Sequence, residues 1–226
     1  MIRMLKMLAL ISIVTLLSAC AVKQSPLEAI AVQQLAAQTQ ARWQAHQLAM
    51  LELDHWRVKG KIAVKAGSKG GHATLRWDKN AVVQKIELYG PLGGGRVEIE
   101  SDASGVRLKD THGGQLRGDS VAKLIEQRLG WPLPFDQLPD WLRGLPSSEQ
   151  AVMEWDEVGH IVRMNDQGWQ ISYPEYQLID LGDFGEVSVP RMIELNALPG
   201  TLKVYDKQGE YLGEDFFIRM IVKSWQ

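Results

Sequence analysis

Trp56-Arg57-Val58-Lys59-Gly60-Lys61-Ile62-Ala63-Val64-Lys65 is the stretch that decides the fold. Val58, Gly60, Ile62 and Val64 alternate with Lys59, Lys61, Ala63 and Lys65, so the period is two and three lysines share a face. That pattern predicts a strand with one apolar and one solvated side. Gly67 to Gly71 then predicts a turn, and Ala73, Leu75 and Trp77 alternate with Thr74, Arg76 and Asp78, completing a hairpin.

Reading outward from this hairpin, further strands are expected at 82–89, 96–100, 105–109, 151–157, 160–165, 169–173, 187–195, 201–205 and 216–225. The last of these alternates Phe216, Ile218, Met220 and Val222 with Phe217, Arg219, Ile221 and Lys223, so its second face is half apolar as well. Upstream, from Leu27 to about Trp56, the chain holds no Gly or Pro, and Leu27, Ile30, Leu35, Trp43, Leu48 and Leu51 supply scattered apolar anchors of a long helix. A second helix starts at Asp119 or Ser120, carries Val121, Leu124, Ile125 and Leu129 on one face and stops at Gly130. A third, short segment spans Asp136 to Arg143 with Leu138, Trp141 and Leu142 as its apolar side. About eleven strands and three helices thus fall in runs rather than in alternation, which predicts an α+β fold: an antiparallel sheet with helices on one face. Residues 196–213 read as an extra hairpin at the sheet edge.

The 226 residues, 45% hydrophobic and 23% charged, suit one globular domain and exclude disorder or a multi-span membrane protein. A net charge of −2 gives no basic groove for nucleic acid, and one cysteine excludes an intrachain disulfide.

That cysteine is informative by position. Arg3 and Lys6, the apolar run Met7 to Leu17 and the small residues Ser18 and Ala19 form a secretory signal too short to span a bilayer. Leu17-Ser18-Ala19-Cys20 resembles the bacterial lipobox, which makes 1–19 a signal peptide, Cys20 the lipidated first residue, 20–26 a tether and 27–226 the single domain. Several acyl chains at one terminus anchor stably. Ala21, rather than an aspartate, after Cys20 implies outer-membrane delivery by analogy with enterobacterial sorting, with the domain facing the periplasm.

Four local patterns then follow in order: the helix running into Trp56 and Val58-Lys59-Gly60-Lys61; Tyr89-Gly90-Pro91-Leu92-Gly93; Gly130-Trp131-Pro132-Leu133-Pro134 through Trp141-Leu142-Arg143-Gly144-Leu145-Pro146; and Gly168-Trp169 through Tyr173 and Tyr176. With the lipobox, they resemble the LolB family of outer-membrane lipoprotein receptors over essentially the whole mature chain. The resemblance implies a curved, incomplete β-barrel with helices across its mouth and an apolar cavity between them. It implies an activity as well: taking acylated lipoproteins from the periplasmic carrier LolA and inserting them into the inner leaflet of the outer membrane, as a monomer. It also carries the family's protruding membrane-insertion leucine onto Leu92, set between Pro91 and Gly93-Gly94-Gly95.

Acyl chains need an apolar cavity, which a half-barrel with one apolar face can offer without chemistry. Ile62, Val64, Leu75, Trp77, Ile86, Leu88, Val97, Ile99, Ile218 and Met220 are candidates for its lining or for plain core. No enzyme constellation emerges. Gly90 to Gly95 lacks a following Gly-Lys-Ser/Thr, the five histidines show no His-x-x-x-His spacing for a metal, and no Gly-x-Ser-x-Gly elbow occurs. Glu98 and Glu100 beside Arg96 read as a solvated edge. No cofactor is expected. The competing reading is a structural or assembly lipoprotein that binds an envelope protein through the same sheet. Lys59, Lys61 and Lys65 are either a solvated face or a charge-complementary docking surface.

Overall fold

The computed structural model describes residues 26–90, 95–206 and 208–226, without the side chains of residues 26–32 and 183. Cys20 and Leu92 lie outside the described residues. The chain divides into two compact units, residues 1–38 and 39–226, and the second holds the whole sheet.

Helix α1 spans Pro26–Leu51 and is continuous. It ends before Trp56, which belongs to the first strand, because Glu52 to Asp54 turn the chain and Leu53 and Trp56 pack on the core instead. Leu48 and Leu51, expected as anchors, are exposed; Trp43, Ala49 and Met50 hold this end of the helix.

Strands β1 (His55–Ala66), β2 (Lys69–Asn80), β3 (Val83–Tyr89), β4 (Arg96–Asp102), β5 (Gly105–Asp110) and β6 (Gln115–Gly118) form one meander, and β7 (Val152–Trp155), β8 (Ile161–Asp166), β9 (Trp169–Asp180) and β10 (Glu186–Ala197) form a second. Between the meanders come α2 (Val121–Leu129) and α3 (Leu138–Leu142). The last strand, β13 (Phe216–Trp225), enters between β1 and β10 and joins them into an open eleven-stranded sheet, β6-β5-β4-β3-β2-β1-β13-β10-β9-β8-β7, antiparallel throughout. Being central explains the half-apolar second face of β13.

The inner face is the predicted one: β1 alternates exposed and buried residues along its whole length. Three details differ from the sequence reading. The β1–β2 turn is only Gly67-Ser68, because Gly70 and Gly71 pair within β2 against Lys65 and Val64. Strand β6 was not expected, and β9 runs through Pro174 to Asp180. The 196–213 segment does form a hairpin, β11 (Val204–Tyr205) with β12 (Tyr211–Gly213), but as a separate two-stranded sheet and not at the edge of the large one. Lys69 ties it to the β1–β2 turn through ion pairs with Asp206 and Glu210.

Candidate functional site

The chain leaves the sheet at one edge, β6, and re-enters at the opposite edge, β7, so residues 119–151 cross the inner face as a roof. Local sequence dictates the first part: Ser120 caps α2 by accepting from the Lys123 N–H at 3.2 Å, and Gly130 ends it at φ +77°, a conformation that favours glycine. Val121, Leu124, Ile125 and Leu129 are buried beneath it. Arg128 pairs with Asp110, which also accepts from the His112 and Gly114 N–H groups, and so fixes α2 to the β5–β6 turn. The guanidinium beside Asp110 holds its carboxyl below the usual range.

Next, Trp131 stacks on Phe216 of the central strand at 5.9 Å, and Phe135 meets Trp77 at 5.4 Å. Leu133, Leu138, Trp141 and Leu142 are buried. The stretch Trp141-Leu142-Arg143-Gly144 is then locked by polar contacts. Arg143 donates to the Met50 carbonyl at 2.7 Å, pairs with Asp140 at 2.6 Å, and through its own carbonyl meets His46 Nε2 at 2.8 Å, joining α3 to α1. Burial lowers the His46 pKa, against the opposing effect of that carbonyl.

Asp166, at the end of β8, is a buried carboxylate that the sequence reading missed. It accepts from Trp141 Nε1 (2.9 Å), the Ser147 N–H (2.7 Å), Ser147 Oγ (2.8 Å) and Ser148 Oγ (2.5 Å). Burial pushes its pKa up, but these donors, Ser148 foremost, outweigh burial and the carboxyl titrates below its ordinary range. The four donors come from a segment about twenty positions away, so no local pattern could have announced the site.

Beneath the roof, every cavity-or-core candidate faces inward. Ile62, Val64, Leu75, Trp77, Ile86, Leu88, Val97, Ile99, Ile218 and Met220 are all buried and form one apolar layer with the roof side chains. The sheet opens between β10 and β13. Strand β10 pairs with β13 only from Met192 to Asn196, whereas it follows β9 from Glu186, and the register shifts beside Pro190, which has no N–H to give the ladder. A groove of about 420 Å³ lies there, lined by Leu53, Trp56, Leu178, Leu181 and Trp225 among others. The indole N–H groups of Trp56 and Trp225 are buried without a protein partner, and the rings run from the groove through Trp56–Trp77 (5.5 Å) to Phe135.

The residues that flank positions 91–94 are firmly held. Gly90 donates to the Gly95 carbonyl at 3.0 Å, and the Arg76 and Arg96 guanidiniums lie 5.3 and 5.5 Å from the Tyr89 ring. Arg96 also engages Glu87 and Glu98, so these carboxylates belong to an ion-pair cluster.

An open antiparallel sheet with its apolar face roofed by a helical connection has a counterpart among solved structures. A LolA superfamily protein from Nitrosomonas europaea superposes with a TM-score of 0.51, at 10% identity over 84% of this chain and 93% of that one. The family model described as outer membrane lipoprotein LolB matches residues 54–225. The outer-membrane lipoprotein LolB of Ectopseudomonas mendocina is 31% identical over 99% of this chain and 97% of its own length, and that of Pseudomonas paraeruginosa is 32% identical over 81% and 80%. The chain belongs to the LolB family. It is an outer-membrane lipoprotein, a receptor of lipoprotein localization and not an enzyme.

Proposed function

We propose that the apolar layer between sheet and roof takes the acyl chains of a lipoprotein delivered by a LolA-type carrier, and that the receptor, acting as a monomer anchored through Cys20, releases them into the outer membrane. The observation that carries this reading is the continuity of the layer: ten inward residues from β1, β2, β3, β4 and β13 meet one roof segment that touches the sheet through side chains. Displacing such a roof exposes apolar surface without breaking the sheet's backbone ladder. The groove at Trp56 and Trp225 is the way in, its two indole donors matched to ester or amide carbonyls at the head of the chains.

Leu92 is the membrane-insertion residue in this reading. The fixed positions of Gly90, Gly95 and Tyr89 on either side of it support that role. The test is transfer of an acylated lipoprotein from carrier to receptor, then to liposomes. Leu92→Glu should accept cargo as the parent does and lose most delivery; full delivery by a folded Leu92→Glu protein contradicts the role.

A further inference from the structure

On the outer face of the sheet, opposite the roof, three adjacent strands carry charge of nearly one sign. Their outward residues include Arg57, Lys59, Lys61 and Lys65 on β1, Arg76 on β2, and Arg219 and Lys223 on β13, with Asp78 the one carboxylate among them. Arg57 pairs with Asp78, and Arg219 with Glu194 of β10. Lys59, Lys61, Lys65 and Lys223 make no ion pair among the described residues, and all four are exposed. Glu87 on β3 faces Arg76 but is engaged by Arg96, so it bounds the patch without neutralising it.

Folding does not favour this arrangement. Lys59 stands directly across from Arg76, and like charges opposed across a ladder destabilise it. Half-buried Phe217 and Ile221 sit beside Lys65 and Lys61 in the same register, so apolar side chains lie among the cations. The whole chain is net negative, so the patch runs against its overall charge.

We propose that this outer face lies against anionic phospholipid and orients the anchored receptor on the membrane. A diffuse anionic surface suits a strand face with several unpaired cations and no recess, since each lysine near such a surface is attracted to it. The placement leaves the roof side free for incoming cargo, which is why a lipid surface fits better than the carrier. The proposal needs only membrane attachment, not acyl-chain binding under the roof.

The test is lysine acylation by a membrane-impermeant N-hydroxysuccinimide ester, read by mass spectrometry on the vesicle-bound lipidated protein. Vesicles of phosphatidylcholine alone are compared with vesicles containing one quarter phosphatidylglycerol. Lys59, Lys61, Lys65 and Lys223 should be labelled about threefold less on the anionic vesicles, with the protection lost in high salt. Lys123, exposed on α2 on the roof side, should not change. In Lys59→Glu/Lys61→Glu/Lys65→Glu, Lys223 should lose its protection. Equal labelling on both vesicles overturns the proposal, as does protection that appears only when the carrier is added, which assigns the face to a protein.

Discussion

Asp166 gathers four donors onto one buried carboxylate, and each comes from the roof or its descent to β7. Hydrogen bonds to a buried charge are worth more than neutral ones, and leaving their donors unmatched costs the desolvation of each. Asp166→Asn should therefore lower stability by about 1–3 kcal/mol, read by urea unfolding. The pH dependence follows from the depressed pKa. Above the carboxyl's unfolded value the full contribution is present; it is lost as pH falls through the lower folded value. His46 acts in the same direction, because its lowered pKa means that the unfolded chain takes up the proton first, from the ordinary imidazole value of 6.5 downward. Stability should thus decline below neutrality in two stages, and Asp166→Asn should reduce the more acidic one, to which depressed carboxyls such as Asp110 also contribute. An unchanged profile in that variant would separate the carboxylate from the roof. None of this was legible beforehand: Asp166 falls between the strands expected at 160–165 and 169–173, and the partners at 141, 147 and 148 are brought together only by the fold.

At the scale of elements, legibility tracks how local the determining forces are. The period-two patterns of β1, β2 and β13 and the capped α2 were readable, because each carries its own burial alternation or its own Ser and Gly ends. Strand β6, with Leu116 as its one apolar residue of four, exists because β5 offers it an edge, and β9 beyond Pro174 exists because β10 pairs with it to Asp180. Gly60 marks where β1 bulges against β13: a side chain there would overlap the Ile221 carbonyl oxygen. Gly60→Ala should cost about 1–3 kcal/mol, appearing as a Tm lowered by about 2–4 °C for each kcal/mol. A Tm equal to the parent's would show that the bulge relaxes without loss.

For the whole molecule, the order of strands was beyond local reading. Nothing in Phe216 to Trp225 announces that it will part β1 from β10, yet that insertion makes two meanders one sheet and one inner face. The ten inward candidates were legible as a set, since alternation names the face; their assignment to core or to lipid lining depends on whether the roof yields. The most direct measurement uses a cargo lipopeptide with brominated acyl chains, which quench tryptophan on contact. Trp77 is fully buried beneath Phe135, whereas Trp155 on β7 is exposed. If the chains enter the layer, loading should quench emission, and Trp77→Phe should lose part of that quenching while Trp155→Phe keeps it. Quenching unchanged by Trp77→Phe but abolished by Trp155→Phe would place the acyl chains outside the sheet and contradict the account.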